Sequence, residues 1–306
     1  MFWNASNCHD RSVNPTALTT SDAINLDFWR GLCPNLSING LPSPESDFAF
    51  GNVSELLDDL RHEGYVSVSD VVPTEQVEVL RACIESLYER RIPVVFAFVY
   101  DELWSAFQGI TIFLKASLGA GYRALPALWV WRLEASETAS GWTPHRDRAA
   151  PTFDGDETPH SLTVWLALSD ATPLNGCVYL VPSHLDDGFR QRVESGEGVR
   201  ARDLQCIRAL PATPGSMLAW NQAVIHWGGR ASRRAGEPRV SASLEFQRGD
   251  KPPLDEPLLD ASPELPFRER LALIGAMLLR YSSRFPLTED MRGIAEALRG
   301  DSHLRV

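Results

Sequence analysis

Three side chains in this 306-residue chain have the types and spacing to hold one metal ion. In His145-Arg146-Asp147 an imidazole and a carboxylate stand two positions apart, and positions i and i+2 of an extended segment project to the same face. Chance H-x-D pairs are common in a chain with 7 histidines, so the pair gains weight only with a third ligand. His226 supplies it, closing the run Met217-Leu218-Ala219-Trp220-Asn221-Gln222-Ala223-Val224-Ile225-His226, which reads as strand, turn and strand. Two imidazoles and one carboxylate on one side of Fe(II) leave three positions open for a chelating co-substrate and dioxygen.

Arg239 adds a fourth element. It opens the alternating run Arg239-Val240-Ser241-Ala242-Ser243-Leu244-Glu245-Phe246, whose apolar positions are expected to face helices while Arg239, Ser241 and Ser243 face an interior. A guanidinium placed inside needs an anion, and the far carboxylate of 2-oxoglutarate would provide one through a bidentate, charge-assisted pair. A salt bridge to an Asp or Glu, or an exposed strand start, accounts for an arginine there equally well.

The elements that must position these groups follow from periodicity. Leu56, Leu57 and Leu60 sit at helical spacing and Gly64 stands where that helix should stop. Tyr65–Val72 reads as a strand. Val77, Leu80, Ile84, Leu87 and Tyr88 share one face of a second helix closed by Pro93, and a further helical stretch covers roughly 100–119. From Pro126 the texture changes to short strands between Gly, Pro and Asp turns: Leu128–Glu134, Ser161–Ser169, Cys177–Val181, Ser216–Trp220 and Arg239–Gln247. The loops Arg148–His160 and Asp186–Arg208 are long enough to carry substrate contacts. The predicted division is an N-terminal extension, 1–50, loosely structured; a mainly β domain with supporting helices, 51–250; and a C-terminal helical extension, 251–306, packed on the same domain through an amphipathic helix at Phe267–Tyr281.

Composition bounds the partners. A chain that is 44% hydrophobic and 23% charged folds as a globular protein, and its net charge of −11 argues against nucleic acid or an anionic membrane surface. No apolar run reaches about 18 residues, and Asn4-Ala5-Ser6 matches a glycosylation sequon without a secretory signal. Five cysteines, odd in number and without CxxC spacing, fit reduced thiols in a cytoplasm. The expected partner is a small molecule. Oligomeric state has no signal in the sequence.

The chain also resembles a known family. Leu57–Tyr88, with His62-Glu63-Gly64-Tyr65 before Val71-Val72-Pro73-Thr74-Glu75-Gln76-Val77, is similar to the N-terminal helix-strand-helix of the phytanoyl-CoA dioxygenase family. His145-Arg146-Asp147, Asn175-Gly176-Cys177-Val178-Tyr179-Leu180-Val181-Pro182-Ser183-His184, and Pro214-Gly215-Ser216 running into His226 and Arg239 follow the family's order, so the resemblance spans about 54–248. It implies a double-stranded β-helix, the cupin-like jelly roll, backed by helices. It also implies Fe(II) held by His145, Asp147 and His226, with 2-oxoglutarate and O2 as co-substrates and oxidation of a substrate C–H. Many members carry serine two residues after the distal histidine to help hold 2-oxoglutarate; Gly228 stands here, which leaves Ser241 or Thr163 as substitutes. Related halogenases lack the carboxylate ligand, so Asp147 favours hydroxylation.

Around this centre, Trp165 and Arg132 are candidates for co-substrate binding. Trp142, Arg146 and His160 are candidates for substrate contact. Core packing for the tryptophans and solvated or ion-paired roles for the arginines are the alternatives. His184 fits a turn residue. The expected activity is a hydroxylase acting on an amino-acid-like or natural-product intermediate; a fatty acyl-CoA hydroxylase and a non-catalytic cupin-like binding protein are the competing readings.

Overall fold

The alternating strands assemble into two antiparallel sheets in the computed structural model, which describes residues 18–40, 50–148, 151–156, 158–262 and 264–300. Helices α1 (Thr20–Ala23), α2 (Leu26–Leu32) and α3 (Val53–Glu63) precede strand β1 (Tyr65–Val68) and helix α4 (Thr74–Glu89). Helices α5 (Asp101–Gln108) and α6 (Thr111–Leu118) lead into β2 (Arg123–Ala124), β3 (Trp129–Leu133), β4 (Ser161–Ala167) and β5 (Val178–Leu180). After α7 (Phe189–Ser195) come β6 (Arg208–Leu210), β7 (Met217–Asn221), β8 (His226–Gly228) and β9 (Arg239–Gln247), then α8 (Phe267–Arg280) and α9 (Glu289–Gly300). The larger sheet runs β1-β7-β4-β9-β2, with β3 also pairing β9, and the smaller runs β6-β5-β8.

Every residue of β4 and β9 is buried, because each sheet face has a cover. Leu162, Val164, Leu166, Val240, Ala242, Leu244 and Phe246 pack with the helices, as the alternation predicts. Trp165, Leu218 and Trp220 join Val178, Leu180 and Val224 in a second core between the two sheets. In α4, Val77, Leu80, Ile84 and Leu87 are buried, each contributing about 1.5–3 kcal/mol relative to exposure. Tyr88, at 38% exposure, lies at the edge of that face.

Local chemistry sets the element ends. Asn52 caps α3 by accepting the Ser54 N–H at 3.1 Å, and Gly64 stops it with φ of 80°. A Cβ on Gly64 would lie 2.6 Å from Val224 Cγ2, so the position needs glycine for contact as well as for φ.

The N-terminal part departs from the sequence expectation. Residues 18–40 are packed, not loose: Trp29 is fully buried and stacks on Phe96 at 5.0 Å, and its indole N–H reaches the Ala23 carbonyl. Residues 1–17 and 41–49, with the sequon and Cys8, lie outside the described residues. The amphipathic helix α8 packs on residues 94–99, with Arg270 ion-paired to Asp101 at 2.7 Å and both side chains fully buried. Helix α9, absent from the sequence reading, covers α8 so closely that a Cβ on Gly275 would lie 2.6 Å from the Ala295 carbonyl oxygen. The loop Asp186–Arg208 is not a free binding loop: it holds α7, and Arg192 ties Asp186 and Asp203 together inside it. Cys33, Cys83, Cys177 and Cys206 are free thiols. No described helix is long and apolar enough to cross a membrane.

Candidate metal centre and co-substrate pocket

His145 and His226 meet as a hydrogen-bonded rung of the small sheet. His145 N–H donates to the His226 carbonyl at 3.0 Å and His226 N–H to the His145 carbonyl at 2.9 Å. Directly opposed residues of an antiparallel pair project to the same side, so the rings stand 4.4 Å apart between centroids. The segment continues with Asp147 N–H donating to the Gln222 carbonyl at 3.0 Å, which returns the Asp147 side chain to the same side. Asp147 Oδ1 then lies 3.3 Å from Nε2 of each histidine. Ligand atoms of all three residues fall within 4.8 Å of one another.

The surrounding hydrogen bonds leave the right atoms free. Each imidazole donates from Nδ1 to a carbonyl two residues earlier, His145 to Thr143 at 2.8 Å and His226 to Val224 at 3.1 Å. Both Nε2 lone pairs therefore face the centre. Asp147 Oδ2 accepts from Thr163 Oγ1 at 2.7 Å and from the Trp220 indole at 3.2 Å, which leaves Oδ1 for the metal. Burial alone would raise the Asp147 carboxyl, but His226 and His145 hold it well below its usual range. Burial likewise pulls His145 down, and Asp147 with the Thr143 carbonyl outweighs it, so the imidazole is raised.

Behind the carboxylate lies a polar chain that the sequence reading missed. Gln222 donates to Thr163 Oγ1 at 3.2 Å and to Glu245 at 2.7 Å, and Arg148 pairs with the same Glu245 oxygen. Burial pushes the Glu245 carboxyl up, with Arg148 opposing and Asp147 reinforcing. Glu245 and Thr163 are direct partners in the β4–β9 register, so strand alignment sets them side by side where Gln222 bridges them.

Arg239 lies on that same inner face, only 3% exposed. Its Nη1 donates to Ser241 Oγ at 3.1 Å, its guanidinium lies 5.6 Å from the Trp165 ring, and its Nε has no hydrogen-bond partner. No carboxylate among the described residues pairs with it, so burial lowers the guanidinium to about 10. A desolvated cation missing its anion is a built receptor for one.

The remaining candidates separate cleanly. Trp165 and Ser241 touch Arg239, whereas the Thr163 hydroxyl is committed to Asp147 and not to a co-substrate. Arg132 is a correction: on β3, its β9 partner in register is Val240, on the helix side of the sheet. There it pairs with Glu85 at 2.7 Å and with Glu134 and lies 3.7 Å over the Tyr88 ring. Arg146 is another. Lying between the two ligands, it points the opposite way and joins Asp186 at 2.8 Å and the Ala223 carbonyl. His160 is held at 2.6 Å by Asp154, which also binds Arg248 and Lys251, so it pins a loop in place of contacting substrate.

Trp142 does reach the centre, 5.9 Å from His145. Around it gather Trp129, Trp131, Tyr281 and Phe285, with Arg284 lying 3.9 Å over the Trp142 ring. Three of these, Tyr281, Arg284 and Phe285, come from the turn after α8, a contact that local periodicity cannot reveal. The absent serine also has a reason: a Cβ on Gly228 would lie 2.9 Å from Gly141 Cα, so the two backbones touch where a side chain would stand.

Residues 121–235 match the model of the phytanoyl-CoA dioxygenase (PhyH) family. The chain carries a PhyH segment. That segment contains all three candidate ligands and ends just before Arg239. Two solved structures are similar in fold: a non-heme monooxygenase, ThoJ, as a nickel complex (18% identity, TM-score 0.52, covering 75% of this chain and 98% of that one), and HygX from Streptomyces hygroscopicus with nickel and 2-oxoglutarate bound (16% identity, TM-score 0.50, covering 66% and 88%). A search of curated proteins finds no match. Likeness at this level of identity shows the fold alone, a mixed architecture of helices and antiparallel sheet.

Proposed function

We propose that this chain is an Fe(II)- and 2-oxoglutarate-dependent dioxygenase that hydroxylates an unactivated C–H of a small metabolite, an amino-acid-like or natural-product intermediate, in the cytoplasm. The two sheets then correspond to the halves of a double-stranded β-helix. The observation that carries the reading is Arg239, a buried guanidinium with an unpartnered Nε and, among the described residues, no carboxylate beside it, on the same inner face as Asp147's support Thr163. A dicarboxylate whose far end pairs with Arg239 satisfies that cation. The crystallised relative HygX binds 2-oxoglutarate, which supports the assignment by analogy.

The donor set fits iron: two imidazoles and one carboxylate presented on one side. When bound, iron with 2-oxoglutarate and dioxygen supplies the oxidising power, releasing succinate and carbon dioxide. The chain's own groups do the positioning. Thr143 and Val224 fix the imidazole tautomers, and Thr163 with Trp220 restricts Asp147 to one ligating oxygen. Arg239, Ser241 and Trp165 bind and orient the co-substrate's distal carboxylate. Trp142, Tyr281 and Phe285 offer an apolar wall beside His145, and Arg284 adds a positive group at its edge for an acidic substrate.

The test is anaerobic addition of Fe(II) and 2-oxoglutarate, following the weak visible charge-transfer band of the chelate. The wild type is expected to develop the band, and His226→Ala to lack it. Folded, iron-loaded wild type without a band would overturn the dioxygenase reading. A band without succinate release across a panel of candidate substrates in air would favour the non-catalytic alternative.

A further inference from the structure

A second cluster of metal-binding side chains lies away from the iron centre. His62 and Glu63 end helix α3, and His184 sits in the short 3-10 turn Ser183–Leu185 that follows β5. Their ligand atoms all fall within 4.8 Å of one another. The two imidazoles stack with centroids 4.3 Å apart and planes 15° from parallel, and neither ring is held by a hydrogen bond among the described residues. Glu63 Oε2 is shielded from water, accepts no hydrogen bond, and lies 3.7 Å from His184 Nδ1, too far to count as one. An anionic oxygen screened from solvent without a donor calls for a positive partner.

We infer that His62, Glu63 and His184 form a second metal site that takes a zinc-class divalent cation and clamps the end of α3 to the turn after β5. Two nitrogen donors with one oxygen disfavour calcium and magnesium, which take all-oxygen shells, and the absence of thiolate sulfur disfavours Cu(I). Bonds of about 2.0–2.1 Å in a tetrahedron set the ligand atoms roughly 3.3–3.5 Å apart. The exposed histidines can close that gap by side-chain rotation, and water completes the fourth position.

The clamp lies directly behind the iron site. Gly64, next in the chain, packs where a Cβ would meet Val224 and Ser183, and its carbonyl accepts from Asn221 N–H at 2.9 Å. Ser183 Oγ donates to the His62 carbonyl at 2.9 Å, and Val181 N–H donates to the Ile225 carbonyl at 2.9 Å. Cation binding therefore fastens both walls that flank residues 221–225, the turn whose Val224 carbonyl orients His226. The inference does not depend on the iron chemistry.

Zinc alone is the probe, titrated by calorimetry with bound metal counted after dialysis. Four full-length proteins are compared: wild type, Asp147→Ala/His226→Ala, His62→Ala/His184→Ala, and the quadruple variant. The Asp147/His226 variant is expected to keep one zinc with a raised Tm, the His62/His184 variant to keep one at the iron ligands, and the quadruple variant to keep none. Glu63→Gln in the Asp147/His226 background should weaken the retained zinc at least tenfold. An Asp147/His226 variant that is folded by circular dichroism and binds no zinc overturns the inference. So does a zinc that the quadruple variant retains.

Discussion

Two arginines are buried in this molecule to nearly the same degree, and they are treated in opposite ways. Arg270, in the helical layer, has a carboxylate at 2.7 Å in Asp101 and carbonyl partners in Val99 at 2.7 Å and Leu265 at 2.8 Å. Arg239, between the sheets, has one serine hydroxyl, an aromatic ring and a bare Nε. The first is a complete structural unit, whose charge is balanced within the fold. The second has no carboxylate partner among the described residues, and the proposed co-substrate would complete it. Burial alone does not separate structural from functional cations; completeness of the partner set does.

The contrast breaks most visibly at Arg270. Arg270→Met removes the counter-charge of the buried Asp101 carboxylate, which keeps its hydrogen bonds from the Asn39 and Gly40 N–H groups, and is expected to cost about 3–5 kcal/mol of stability, read from urea unfolding. If stability were unchanged, the idea that this pair completes itself inside the fold would fail. Arg239→Met should do the reverse. Stability without ligand should hold to within about 1 kcal/mol or rise, while affinity for 2-oxoglutarate falls about 30–150-fold, equivalent to roughly 2–3 kcal/mol, in titrations of the iron-loaded protein. An unaltered 2-oxoglutarate affinity would assign Arg239 to structure after all. Thr163→Val removes one of two donors to Asp147 Oδ2 and should weaken iron binding about tenfold without unfolding the protein, as measured by competition with a chelator.

The smallest effect concerns a third buried arginine, Arg192. Burial would raise its partner Asp203, but hydrogen bonds from Arg192 and Arg200 outweigh that and hold the carboxyl at about 2. A depressed carboxyl stabilises the fold fully above its unfolded pKa of about 3.9 and loses that contribution as pH falls through about 2. Asp203→Asn should therefore flatten the decline of Tm between about pH 4 and pH 2. A wild-type decline that the variant leaves intact would assign the acid sensitivity to other carboxyls.

Much of this arrangement can be read in the sequence wherever a period of two governs it. β9 spans Arg239–Gln247, the range the alternation predicts, and the same parity places Arg239 and Ser241 on one face. The same rule, applied more strictly, separates Arg146 from its neighbours, since a residue between two inward ligands must point outward. Arg132 could not be judged this way, because its face depends on register with β9. Gln222 and Glu245 stayed hidden for a related reason: their contact with Thr163 arises from pairing β4 with β7 and β9, which no local pattern encodes. Tyr281 and Phe285 reach Trp142 from the far end of the chain. Helix α9 was legible, since Ile294, Ala295 and Leu298 follow the i, i+4 rule and are its buried residues.

The rung that joins His145 to His226 has a kinetic meaning as well. Eighty-one positions separate the two residues, so bringing them together closes a long loop, whose entropy of about 4 kcal/mol is recovered only once the surrounding sheets have paired. Before that, the proposed iron centre has only its His145–Asp147 pair assembled. Uptake of iron at full affinity thus becomes a clock for the last stage of folding: the ion is captured when the β core has closed, and a stopped-flow trace of metal binding during refolding would time that closure.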